Sequence, residues 1–258
     1  MESVNFKSIK MNGGFWQKKQ QMAQKTTVHA VYDRFYDTGR VSAFKCEKDS
    51  PVRPHVFWDS DVAKWIEGAS YLISIGMGDK ALEEKIDEVV DDIEKNQLPS
   101  GYFNSYFIPC EPEGIFKNRD CHELYCLGHL IEGAIAYNEA TGKDKFLRLM
   151  EKYVDYVEKR FIIDKDTAFV TPGHEEIELA LIKLYDHTKN EKYLDMCVAF
   201  SYVSAAKETK GSPIGARKNT TNPTKLPRSS GRLRDIACAR CISTVQWLTS
   251  HCATATRN

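Results

Sequence analysis

Apolar residues recur three and four positions apart in paired segments along most of this chain, with Gly- or Pro-containing breaks between them. That spacing places them on one face of an α-helix and predicts amphipathic helices joined by short turns. A polar helix is expected from about Phe15 to Tyr36, after Asn12-Gly13-Gly14. Val62, Trp65, Ile66, Ala69, Leu72 and Ile73 mark the next, with Asp59 or Ser60 as its cap and Gly76 and Gly78 at its end. Leu82, Ile86, Val89, Val90 and Ile93 mark its partner, stopped by Pro99-Ser100-Gly101. An aromatic loop or short strand follows (Tyr102, Phe103, Tyr106, Phe107), then a helix starting near His122 and another carrying Phe146, Met150, Tyr153, Val154 and Val157. A further pair starts near His174 and resumes near Asn190.

The pairs repeat. Thr141, Lys145, Phe146 and Leu147 are matched 47 residues later by Thr188, Lys192, Tyr193 and Leu194, each set opening the second helix of a pair. Two helices per unit with this period predict stacked helical hairpins, as a solenoid or a closed α/α toroid. The fold class is therefore all-α, with no apolar run long enough to span a membrane.

Charge divides the chain. The 258 residues carry 36 basic and 36 acidic side chains, but from Thr209 to Asn258 there are nine Lys or Arg against one acidic residue, Asp235. The balance excludes a whole-chain basic field of the kind that binds nucleic acid. Residues 1–208 form the helical domain in this reading, and 209–258 an irregular basic tail. Shifting the frame by one base allows Arg234 to Thr244 to be recoded as Gly-His-Cys-Val-Arg-Ala-Met-Tyr-Leu-Tyr-Ser, which has the helical apolar spacing that the printed tail lacks. The tail is therefore read as translated out of frame, and Cys238-x-x-Cys241 with His251-Cys252 as an accidental zinc-like pattern. The start, Met1 to Lys7, has no apolar stretch resembling a signal peptide, so a cytoplasmic chain with reduced thiols is expected.

Candidate chemistry sits at helix starts. The first helices of successive hairpins open with Trp58-Asp59-Ser60-Asp61, His122-Glu123 and His174-Glu175-Glu176. Helices in the same role run the same way, so these ends collect on one side. Asp59, His122 and His174 are expected to face one cleft near Trp58 and Tyr102, and polar groups converging among aromatic faces suit a sugar. The bland reading makes Asp59 a cap and the acids complements to helix dipoles. His122 and His129 share a helix face, read as packing. Asp87, Glu88, Asp91, Asp92 and Glu94 are read as a solvated face.

Several blocks resemble the N-terminal part of glycoside hydrolase family 127, the β-L-arabinofuranosidases. They are Phe57 to Trp65, Pro99 to Asn104, His122 to Leu130 and Gly173-His174-Glu175. The shifted-frame Gly-His-Cys-Val-Arg-Ala resembles the family's next block. The resemblance covers roughly residues 1–208. It implies part of an (α/α)6 toroid and, in full-length members, a retaining exo-hydrolase that releases L-arabinose from β-L-arabinofuranosides. It implies a Cys nucleophile held on zinc by Glu and Cys ligands, a chemistry in which the metal keeps the thiol deprotonated. It makes His122 and His174 substrate-binding residues, to which the reading of the helix starts adds Asp59, Trp58 and Tyr102. The zinc ligands, nucleophile and acid/base residue of the family lie beyond the blocks matched here, so no metal or catalytic residue is carried over and no bound zinc is expected. The expectation is an inactive fragment that recognises a small carbohydrate, with neither nucleic acid nor membrane as partner. The alternatives are another α/α-toroid sugar enzyme resembling the unsaturated glucuronyl hydrolases, or a non-enzymatic helical-repeat scaffold.

Overall fold

The computed structural model describes residues 6–208, and every regular element among them is helical. The α-helices are α1 (Gly14–Met22), α2 (Val28–Asp37), α3 (Trp58–Ser74), α4 (Lys80–Asn96), the single turn α5 (Phe107–Cys110), α6 (Glu123–Thr141), α7 (Lys145–Val157), α8 (Ile177–Thr188) and α9 (Glu191–Glu208). A π-helical turn, Ala23–Thr27, joins α1 to α2, so the expected first helix is one nearly continuous rod. The region Tyr102 to Phe107 forms no strand. The proposals for residues 209–258, including the shifted frame and the Cys238-x-x-Cys241 pattern, lie outside the described residues.

The helices pair as α3/α4, α6/α7 and α8/α9. Helix α6 packs against both α3 and α8, making an inner row of three, while α4 and α7 touch in an outer row. The sequence explains the sorting. Helix α7 buries one stripe, Phe146, Leu147, Met150, Tyr153, Val154 and Val157, as an outer helix should. Helix α6 is buried on nearly all sides, from Leu124 and Leu127 through Ile131, Ala134 and Tyr137. It has neighbours left and right as well as behind. Gly133 permits the close approach to α3: a Cβ there would stand 3.1 Å from the carbonyl oxygen of Ala63.

The outer acidic face is not simply solvated. Lys143 Nζ lies 2.6 Å from both Glu83 and Asp87, and Lys145 Nζ lies 2.8 Å from Asp91 and 3.0 Å from Glu94. The turn between α6 and α7 is thereby tied to α4 by partly exposed, solvent-screened pairs.

Each inner helix carries a buried carboxylate in or near its first turn. Asp59, Glu123 and Glu178 are only 1%, 2% and 2% exposed. Asp59 accepts the Ser105 backbone N–H through both oxygens, at 3.1 and 3.3 Å, and so anchors the loop that leads into the next inner helix. It does not cap α3, which begins at Trp58 with no side-chain cap. Glu123 accepts the Tyr102 hydroxyl at 2.7 Å and the Phe116 N–H at 2.9 Å. Neither oxygen of Glu178 has a hydrogen-bond partner in another described residue. Burial raises all three, Asp59 to about 6 and Glu123 and Glu178 to about 7.

A raised carboxyl contributes its stability below its unfolded value and loses it as pH climbs through the folded one. For Glu178 that window runs from about 4.5 to about 7 and corresponds to about 3 kcal/mol. Glu178→Gln should therefore exceed the natural chain in denaturant resistance at pH 8 by up to about 3 kcal/mol, with the advantage fading toward pH 4.5. Equal stability of the two chains at pH 8 would show that the carboxylate is not held in a desolvated site.

Candidate sugar-binding site

His122 ends the loop before α6 in a left-handed conformation (φ 62°). His174 lies three residues before α8. The two imidazoles meet, with their Nε2 atoms 3.2 Å apart and ring centroids at 5.1 Å. His174 is exposed and His122 half-buried, so the pair opens to solvent on one side.

Aromatic walls surround the pair. Tyr125, one turn into α6, stands 5.7 Å from the His122 ring and 5.2 Å from the His174 ring. Phe57 reaches His122 edge-on at 6.0 Å and is itself backed by His55 at 4.2 Å. Lys64 of α3 donates to the Tyr125 hydroxyl at 2.7 Å, fixing that ring from the neighbouring helix. The structure thus gathers α3, α6 and the approach to α8 around two imidazoles.

The other expected residues are placed differently. Tyr102 is completely buried and its hydroxyl is committed to Glu123, and Asp59 is committed to Ser105. Both stand behind the cleft rather than in it. Trp58 is half-buried beneath the Arg40 guanidinium, 4.9 Å above its ring, and Arg40 in turn reaches Asp61 at 3.0 Å. Tyr125, Lys64 and Phe57 stand around the histidine pair and were not among the expected residues. The signal for Tyr125 was available, since a residue three positions after His122 shares its helix face.

Beneath Tyr125 lies a polar cluster. The His129 ring meets Tyr125 at 4.6 Å, and its Nδ1 stands 3.3 Å from Glu132 and 3.2 Å from Glu176. Lys183 pairs with Glu132. Two carboxylates crowded in a buried space divide the load: burial and the charge of Glu132 push Glu176 up, while His129 and Lys183 hold Glu132 down. His129, Glu132 and Glu176 are also the one group of three side chains among the described residues whose ligand atoms converge closely enough to hold a metal ion.

The family-implied thiolate–zinc centre does not fit the described cysteines. Cys46, Cys110, Cys121 and Cys126 are free thiols, and among the described residues no cysteine belongs to a converging group of ligands. Burial pushes Cys46 up to about 12 and raises Cys121 and Cys126, which keeps these thiols protonated at neutral pH.

With this geometry in hand, comparison with known proteins is decisive. The β-L-arabinofuranosidase GH127 catalytic-domain family matches residues 8–229. The chain belongs to this family. A non-reducing end β-L-arabinofuranosidase from Bifidobacterium longum subsp. longum is 35% identical over 158 residues, which cover 58% of this chain and 23% of that protein. Among solved structures, a GH127 β-L-arabinofuranosidase from Geobacillus stearothermophilus T6 is 35% identical with a TM-score of 0.70, covering 80% of this chain and 35% of its own. A GH127 β-arabinofuranosidase is 32% identical with a TM-score of 0.68, covering 86% and 36%. The chain thus spans about a quarter to a third of these relatives' length. The helical hairpins are those of the α/α toroid architecture of the GH127 structures. No described helix is long and apolar enough to cross a membrane.

Helices α6 and α8 approach closely because residue 128 is glycine. A Cβ there would lie 2.6 Å from Glu176 Cγ and 3.2 Å from the Glu176 backbone. Gly128→Ala should displace the start of α8 and with it His174, and cost about 1–3 kcal/mol of stability. Thermal unfolding checks this, and a variant as stable as the natural chain would contradict the packing described.

Proposed function

We propose that this chain is the sugar-recognising part of a β-L-arabinofuranosidase catalytic domain, and that His122 and His174 hydrogen-bond the hydroxyls of a β-L-arabinofuranoside. The observation that carries the reading is the 3.2 Å meeting of their Nε2 atoms at the open end of the inner helices. Adjacent hydroxyls on a five-membered ring have similar spacing, so each imidazole can address one of them. A neutral imidazole offers one donor and one acceptor, and a sugar hydroxyl can complement either. Tyr125 and Phe57 supply apolar faces for the ring's C–H bonds, the usual complement to a few oriented polar groups. Asp59 and Tyr102 act one layer back: they hold Ser105 and Glu123, and through them the loops that carry the cleft.

Family membership and the relatives' stated activities support a furanoside as substrate. In this proposal retaining hydrolysis, by a thiolate nucleophile kept deprotonated by zinc, belongs to the larger catalytic domain. The described cysteines supply no ligand cluster, and in this proposal the chain binds the sugar without cleaving it.

Isothermal titration of the full chain with methyl β-L-arabinofuranoside should show one-to-one binding. His122→Ala and His174→Ala should each weaken it about tenfold, as expected for loss of one hydrogen bond to the sugar. An aryl β-L-arabinofuranoside should release no phenol. Unaltered affinity in both variants would contradict the site, and measurable hydrolysis by the natural chain would contradict its inactivity.

A further inference from the structure

We propose that His129, Glu132 and Glu176 form a site for a divalent metal ion, with Zn2+ the best-matched cation. The cluster joins two helices. His129 and Glu132 are three residues apart on one face of α6, and Glu176 enters from the residue that precedes α8. Their ligand atoms all lie within 4.8 Å of one another.

The spacing matches that of ligands around an ion. His129 Nδ1 stands 3.3 Å from Glu132 Oε2 and 3.2 Å from Glu176 Oε1. The edge of a tetrahedron around a metal with bonds of about 2.0–2.2 Å is about 3.3–3.6 Å. Among the described residues, neither ring nitrogen of His129 makes a hydrogen bond of good geometry, although both are shut off from solvent, and the same holds for Glu176 Oε1. Three buried polar atoms left unsatisfied are unusual in a folded core and call for an occupant. The side chains are 12%, 6% and 13% exposed, so the site is built into the interior rather than formed by surface acids. The one cation in contact, Lys183, bonds Glu132 Oε1 and leaves Oε2 turned to the imidazole.

Donor chemistry selects the ion. One imidazole nitrogen and two carboxylate oxygens form a borderline set that suits Zn2+ and falls short of the oxygen cage that Ca2+ needs. It contains no thiolate, so it is not the zinc centre implied by the family resemblance. The metal would bind α6 to the start of α8, beneath the His122–His174 pair, and set the distance between those two rings. The site stands whether or not the sugar reading is correct.

The test uses the full 258-residue chain, stripped with a chelator and titrated with Co2+ and Zn2+ alone. One equivalent should bind. Co2+ should give the visible bands of a four-coordinate nitrogen–oxygen site without a thiolate charge-transfer band, and Zn2+ should raise the unfolding temperature. His129→Gln and Glu176→Gln, which keep the side chains' size, should each weaken binding at least tenfold while retaining the helical circular dichroism. His122→Ala and the double variant Cys238→Ser/Cys241→Ser should bind as the natural chain does. Absence of binding, affinity unaltered in His129→Gln, or loss of the ion in the His122 or cysteine variants would each overturn the proposal.

Discussion

The site depends on three helices being forced to start at the same end of one layer. Helices α3, α6 and α8 lie side by side, and their alignment converts positions far apart in sequence into a single rim. Hydrophobic packing supplies the attraction, but it does not by itself set where each helix begins. That register comes from polar contacts buried at the helix starts. Asp59 grips Ser105, 46 residues away, and Glu123 takes the Tyr102 hydroxyl and the Phe116 N–H. A buried carboxylate is costly unless its acceptors are used, so these contacts tolerate little slippage.

In the proposed reading, function and scaffold are stacked rather than mixed. The outermost level holds His122, His174, Phe57 and Tyr125, partly open to solvent. The level behind holds Asp59, Tyr102 and Glu123, sealed and spent on one another and on the loops. Tyr125 connects the first level to a second polar group deeper along the inner helices, His129 with Glu132 and Glu176. Lys64 crosses from α3 to hold Tyr125, so a shift of any inner helix is felt by the aromatic wall.

Much of this was legible in the sequence because helical hairpins write their pattern locally. The three- and four-residue spacing of Val62, Trp65, Ile66 and Ala69 fixes a buried face without reference to the rest of the chain. The convergence of His122 and His174 was also legible, from their equivalent places in successive hairpins and from the family blocks. The roles of Asp59 and Tyr102 were not. A polar residue in the first turn of a helix has the same local signature whether it caps that helix, lines a cleft or anchors a distant loop. The partner decides, and Ser105 lies in the loop that leads to the next hairpin. The same holds for His129. Its spacing from His122 suggested packing, and only the arrival of Glu176 from the next helix turns it toward two carboxylates. The acidic face of α4 likewise looked solvated until Lys143 and Lys145 came over from the adjoining hairpin.

The central claim is that two imidazoles brought together by parallel inner helices hold a furanose. A crystal structure of the chain with methyl β-L-arabinofuranoside tests it most directly. The account predicts the sugar against Tyr125, with separate hydroxyls within hydrogen-bond distance of His122 Nε2 and His174 Nε2. A sugar seated instead in the cavity of about 850 Å3 between α2 and α3, lined by Val28, Val31, Trp65 and Leu72, with the histidine pair unchanged, would contradict it.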